Sequence, residues 1–133
     1  MIIDTSALVA IFKREPGYQS LRDAIGLDGG NLPAPAMVEY MLVTGAARSA
    51  EATFLMDACR EQGLVTPAFT AEHAAIAAEA NVRFGKGNGR GGMLNLLDLM
   101  VYAVAKDYGE PLLCTGKDFA TTGIELHAAS RPL

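Results

Sequence analysis

Apolar and polar positions follow two different rhythms along this chain. Short apolar runs such as MIID, LVT and LLCT are bounded by turn residues and read as strands. Longer stretches repeat their apolar residues at helical spacing. Met1–Asp4 is predicted to be a short buried strand, followed by a helix over Ser6–Arg14 that Thr5 or Ser6 caps and Glu15-Pro16-Gly17 stops. Tyr18–Leu27 carries Leu21, Ala24 and Ile25 on one face, and Asp28-Gly29-Gly30-Asn31 reads as a turn. The next helix begins near Pro35, with Met37, Tyr40, Met41 and Thr44 on related faces.

Ser49–Gln62 is predicted to be a helix with Phe54, Leu55, Ala58 and Cys59 as its apolar stripe and Gly63 as its C-cap. Leu64–Thr66 is a brief strand ended by Pro67. Thr70 caps a helix that reaches Phe84, and His73 stands where a Glu would complete a capping box. Gly85–Gly92 is a glycine-rich loop. Leu94–Tyr108 is again helical and stops at Gly109 and Pro111. Leu112–Thr115 is a strand, and Ile124–His127 is the last one. Short strands separated by helices predict an α/β fold, a parallel sheet of about four or five strands covered by helices. At 133 residues, half of them apolar, residues 1–133 are expected to form a single domain with a real core.

Charge narrows the function. The net charge of -4 provides no global basic field, so a polyanion must be met by a local patch or by bound cations. The two cysteines, Cys59 and Cys114, lack metal-binding or CxxC spacing and read as buried small apolar residues in a reducing cytoplasm. No stretch is long and apolar enough for a membrane span, so no membrane association is expected.

Four carboxylates stand out against this background. Asp4 closes the first strand, Glu39 lies in the first turns of a helix, Asp98 interrupts LNLLDLMVYAVA, and Asp118 follows the strand LLCT. Carboxyl ends of parallel strands line the ligand crevice of an open α/β sheet, so Asp4 and Asp118 share an edge if their strands are neighbours. Singly, each acid also fits a cap, a helix terminus, an ion pair or a turn. Together they form a set that repels itself, and a hard oxygen-seeking cation such as Mg²⁺ resolves that repulsion. Thr5, Ser6 and Thr115 lie beside these acids, and Asn95 stands three residues before Asp98, within hydrogen-bonding reach on a helix.

The order IIDTSALVAI, the Glu of PAMVEY, LNLLDLMVYAVAK and PLLCTGKDFATTGI resembles a PIN-domain ribonuclease of the VapC toxin group, across essentially the whole chain. The resemblance implies a three-layer α/β/α sandwich, dependence on Mg²⁺ or Mn²⁺, and hydrolysis of a structured cellular RNA of the tRNA or rRNA type. It also implies a VapB-type antitoxin and toxin homodimers within a higher toxin–antitoxin assembly. The family's catalytic acids fall on Asp4, Glu39, Asp98 and Asp118. Asp4 and Asp98 are assigned to direct metal contact, Glu39 and Asp118 to contact directly or through water, and Thr5, Ser6, Asn95 and Thr115 to supporting hydrogen bonds. The chain departs from the family pattern twice. Leu97 replaces a Gly that many relatives carry before the helical Asp, and Gly116 replaces an acid that some carry two positions before the last Asp. These departures motivate an alternative, a PIN-fold module that binds partners without catalysis.

The loop GKGNGRGG contains a formal GxGxxG string, but it follows a helix rather than a strand, which argues against dinucleotide binding. Its neighbourhood carries Arg83, Lys86 and Arg90. A mobile basic loop of this kind beside an acidic metal centre reads equally as a holder of RNA phosphates that does not read bases and as a simple solvated loop. His73 and His127 are expected on the surface or in caps. Tyr40, Tyr102 and Tyr108 are expected in core or dimer packing. The apolar excess in PAMVEYMLVTGAA and SAEATFLMDA suits a dimer seam or an antitoxin groove.

Overall fold

A computed structural model describes residues 1–131. Its sheet has four parallel strands of two residues each: β1 (Ile2–Ile3), β2 (Gly30–Asn31), β3 (Leu64–Val65) and β4 (Leu112–Leu113). Between and around them run α1 (Thr5–Phe12), α2 (Tyr18–Asp28), α3 (Ala34–Thr44), α4 (Ala50–Glu61), α5 (Ala71–Phe84) and α6 (Leu96–Tyr108), with a single 3-10 turn at Ala46–Arg48. The strand order is β3-β2-β1-β4, with Ile2 opposite Leu112 and Ile3 opposite Leu113. The chain moves outward from β1 to β2 and β3, then returns across the sheet to place β4 on the other side of β1. That reversal makes the carboxyl ends of β1 and β4 a topological switch point, where α/β sheets open a crevice.

The core explains why such short strands suffice. Ile2, Ile3, Leu112, Leu113 and Cys114 are fully buried and packed with Leu8, Ile25, Leu32, Val101 and Val104. Each large apolar side chain so enclosed contributes about 1.5–3 kcal/mol relative to exposure. Tyr40 belongs to the same core, and its hydroxyl donates to the Ala52 carbonyl at 2.7 Å, which fastens α3 to α4.

The structure corrects the sequence reading in several places. The expected turn at Asp28-Gly29-Gly30-Asn31 contains β2. Gly30 has φ +127°, and a Cβ there would press on the side chains of Ile3 and Met1, so the glycine that signals a turn is what lets this strand lie beside β1. The expected last strand at Ile124–His127 is reduced to an isolated bridge between Leu126 and Leu112. Phe54, placed on the buried stripe of α4, is 75% exposed, and the buried face is Ala52, Met56 and Cys59. His73 completes the capping box at Thr70, but it is buried rather than on the surface. Its Nδ1 accepts from the Thr70 N–H at 3.1 Å, and its Nε2 lies 2.8 Å from Asp107 Oδ2. Tyr40 and Tyr102 are core residues, and Cys59 and Cys114 are free and buried, as expected.

Candidate active site

The crevice is built by three helices that begin at the carboxyl edge of the sheet. α1 and α3 start there because each follows a strand, and α6 starts there because it runs back across the sheet to feed β4. Helix amino termini present unpaired N–H groups and the positive end of the helix dipole, and both favour carboxylates.

Asp4 uses this directly. It is the N-cap of α1, in place of the Thr5 or Ser6 expected, and its Oδ2 accepts the Ser6 N–H at 3.1 Å. Released from capping, Thr5 donates its hydroxyl to the Ala36 carbonyl at 3.0 Å, and Ser6 Oγ accepts the Thr115 N–H at 3.0 Å. The two bonds moor the start of α1 to α3 on one side and to the exit of β4 on the other. Asp4 is thereby fixed between the elements that carry Glu39 and Asp118.

Asp98 is held by reciprocal bonds. α6 begins at Leu96 rather than Leu94, so Asp98 stands in the first turn and not within an apolar helix interior. Asn95 is the cap: its Oδ1 accepts the Asp98 N–H at 2.8 Å, while Asp98 Oδ2 accepts the Asn95 N–H at 3.1 Å. Asn95 thus bonds Asp98, as expected from its position three residues earlier, but through the backbone of each partner.

The four carboxylates act on one another. Burial raises the Asp98 pKa to about 7 despite the Asn95 backbone bond, with the charges of Asp4, Asp118 and Glu39 adding to the rise. Burial likewise raises Asp4, with Glu39 contributing. Burial and then Asp4, Asp118 and Asp98 raise the Cys114 thiol to about 12. The crevice therefore brings together all four acids named from the sequence. Among the described residues none of them is in an ion pair, since the pairs present join Met1 to Glu110, His73 to Asp107 and His127 to Asp28.

Relatives give this arrangement a family. The PIN domain pattern matches residues 1–125. Ribonuclease VapC36 of Mycobacterium tuberculosis is 40% identical over 129 residues, covering 94% of this chain and 91% of its own length. The chain belongs to the PIN domain family, with the VapC ribonucleases. Solved structures share the fold at much lower identity. A toxin–antitoxin complex from Klebsiella pneumoniae superimposes with TM-score 0.73 at 16% identity, covering 98% of each chain. The sarcin–ricin loop cleaving toxin VapC20 of Mycobacterium tuberculosis does so with TM-score 0.72 at 17% identity and the same coverage.

Both departures from the PIN pattern have local structural reasons. Gly116 takes φ +88° as the chain leaves β4, a conformation that costs an L-residue about 1–2 kcal/mol. An acid there would be strained at this corner. Leu97 lies in the first turn of α6, where the helical backbone needs none of a glycine's freedom. The basic residues divide. Arg83 and Arg90 line a cleft with Asp118, whereas Lys86 lines a separate apolar groove between α5 and α6 with Leu94, Leu96 and Leu99.

A divalent cation fits the donors present. Four oxygen-donor side chains repel one another without a protein cation to balance them, which is the chemistry a hard ion relieves. Among the described residues no three His, Cys, Asp or Glu side chains close into an all-protein cage. Mg²⁺ does not require one, because it keeps several waters and binds through one or two carboxylates and substrate phosphate.

Proposed function

We propose that this PIN domain is the toxin of a type II toxin–antitoxin pair, a divalent-metal-dependent endoribonuclease that cleaves a structured cellular RNA of the tRNA or rRNA type. The observation that carries the reading is the convergence of Asp4, Glu39, Asp98 and Asp118 at the switch point, mutually repelling and without an ion-pair partner among the described residues. VapC ribonucleases at up to 40% identity over nearly the whole chain support the activity. A structural neighbour that is itself a toxin–antitoxin complex supports a VapB-type antitoxin as partner.

Asp4 and Asp98 would hold Mg²⁺ or Mn²⁺ directly, each with Oδ2 fixed by a backbone N–H. Glu39 and Asp118 would hold the ion or its waters. When bound, the ion supplies a water of lowered pKa and neutralises charge on the phosphate. The chain's own task is orientation. The caps at Asp4 and Asn95 fix two carboxylates against rigid helices, and the Thr5 and Ser6 bonds set the width of the crevice.

Exposed apolar residues on α3 and α4, among them Leu42 at 77% and Phe54 at 75% exposure, support a homodimer seam and an antitoxin contact within a larger assembly. No helix among the described residues is long and apolar enough to cross a membrane, and the two buried free cysteines suit a reducing cytoplasm. The alternative, a partner-binding module without catalysis, rests on the departures at Leu97 and Gly116.

The test is incubation of antitoxin-free protein with total cellular RNA and Mg²⁺ or Mn²⁺, with EDTA and Asp4→Asn and Asp98→Asn variants alongside. Discrete fragments that need both the ion and the two carboxylates are expected. Intact RNA from folded protein with either ion would overturn the nuclease and leave the binding module.

A further inference from the structure

The glycine-rich segment after α5 has no part in the carboxylate site, yet it borders it. A cleft of about 140 Å³ is lined by Arg83 and Phe84 at the end of α5, Arg90 to Met93 of the segment, and Asp118, Thr121 and Thr122 beyond β4. Two guanidinium groups therefore share a cleft with one of the site's carboxylates. Among the described residues neither arginine is in an ion pair. In a chain of net charge -4, an unpaired cationic couple at this edge is a local reversal of sign.

The segment closes on itself through its own bonds. Its neck is closed by Lys86 N–H to Leu94 O at 2.7 Å and Leu94 N–H to Phe84 O at 2.9 Å. Within it, Asn88 Oδ1 accepts the N–H of Arg90 at 2.8 Å and of Gly92 at 3.2 Å, and Asn88 Nδ2 donates to Val82 O at 3.2 Å. One amide thus fastens the Arg90 backbone to the last turn of α5, which also carries Arg83. Arg83 is restrained as well, its guanidinium carbon 5.0 Å from the centroid of the Phe84 ring.

We propose that Arg83 and Arg90 clamp the sugar–phosphate backbone of the RNA beside the scissile bond, with Asn88 as the positioning residue that sets Arg90. The inference rests on the nuclease reading above. Four carboxylates repel a polyanion, so an approaching strand needs cations at the rim as well as at the centre. Guanidinium groups match phosphate oxygens with two parallel donors. Their cleft adjoins Asp118, so a strand gripped there continues toward the carboxylates. Contacts of this kind position the strand and carry no sequence information.

The test is binding of a fluorescein-labelled RNA stem-loop to antitoxin-free protein carrying Asp98→Asn, measured by anisotropy across a NaCl series. Arg83→Ala, Arg90→Ala and Asn88→Ala are added singly, with Lys13→Ala and Lys86→Ala as charge-matched controls. Each arginine variant is expected to lose about 0.7 from the slope of log affinity against log salt, the value for one single-strand phosphate contact. Asn88→Ala is expected to lose slope in the same direction although it removes no charge. A merely structural role would lower thermal stability and leave the slope unmoved. Equal slope losses for the lysine controls and the arginine variants would overturn the clamp, because a diffuse field would then carry binding. Unchanged slopes for both arginine variants would overturn it as well. Cleavage by the parental chain with Mg²⁺ or Mn²⁺ is scored in parallel. Arginine-dependent binding without cleavage removes the nuclease reading and keeps the clamp as an RNA grip. Cleavage with arginine-independent binding does the reverse.

Discussion

Asp98→Asn is expected to make the metal-free protein more stable at alkaline pH than its parent, while abolishing cleavage. The carboxyl of Asp98 rises from an ordinary 3.8 to about 7 in the folded chain, through burial first and neighbouring carboxylates after it. The folded state therefore holds a proton that the unfolded state has released, and stability falls as pH climbs through that window. Below pH 3.8 both states are protonated and the effect vanishes. Above pH 7 it is complete. A rise from 3.8 to about 7 corresponds to about 4 kcal/mol at most. The side chain keeps partial solvent access, and screening lowers the expected value to about 2 kcal/mol. Asparagine keeps an oxygen for the Asn95 N–H and carries no charge, so it removes the penalty without removing the cap bond. The assay is urea unfolding in EDTA from pH 4 to pH 8, followed by far-UV circular dichroism because the chain has no Trp. The variant's advantage should grow from near zero at pH 4 to about 2 kcal/mol at pH 8. At pH 8, Mg²⁺ is then expected to stabilise the parent more than the variant, as a ligand of the native state does. A pH-independent difference, or a parent more stable at pH 8 in EDTA, would refute the argument that these carboxylates are mutually strained.

Asn95→Ala removes the side-chain acceptor of the α6 capping box and is expected to cost about 1 kcal/mol in thermal melts, with a fall in cleavage as Asp98 loses its fixed orientation. Tyr40→Phe deletes the bond to the Ala52 carbonyl inside the core and is expected to cost about 1–2 kcal/mol, with cleavage at permissive temperature unchanged. Gly116→Ala forces a side chain into φ +88° where no atom lies within 4 Å of the added carbon, so the expected loss of about 1 kcal/mol in urea melts is backbone strain alone.

Asp4 and Asp98 stood out because each broke an apolar pattern, whereas Glu39 and Asp118 were singled out only in combination with them and by the resemblance to the PIN family. A carboxylate closing an apolar strand, or set among leucines, demands a partner that the chain does not supply, and that demand is written in residue types. The helices were legible for the same reason, their periodicity being long enough to read. What escaped was short or reciprocal. β2 is two residues long and begins with a glycine, so it has no pattern, and only its pairing with β1 on one side and β3 on the other makes it a strand. The cap of α1 went to Asp4 instead of Thr5 or Ser6 because those hydroxyls have distant partners, Ala36 and Thr115, invisible to local reasoning. Arg83 and Arg90 were singled out together with Lys86, yet only the fold separates the cleft that the arginines line with Asp118 from the apolar groove that Lys86 lines.

Capping and the acidic cluster are one device in this fold. A helix N-terminus lowers the cost of a carboxylate, and two such termini meet at the switch point, so Asp4 and Asp98 are admitted to a crevice that would otherwise exclude them. The relief is incomplete, since burial and the neighbouring charges still raise both groups. A stronger local remedy, such as a lysine paired with Asp98, would relieve the repulsion and fill the space that the proposed function gives to an ion and a phosphate. The residual repulsion is what a bound cation would relieve under the proposed function. Arg83 and Arg90 meet this cluster only at Asp118, whose cleft they line, and pair with none of its carboxylates among the described residues.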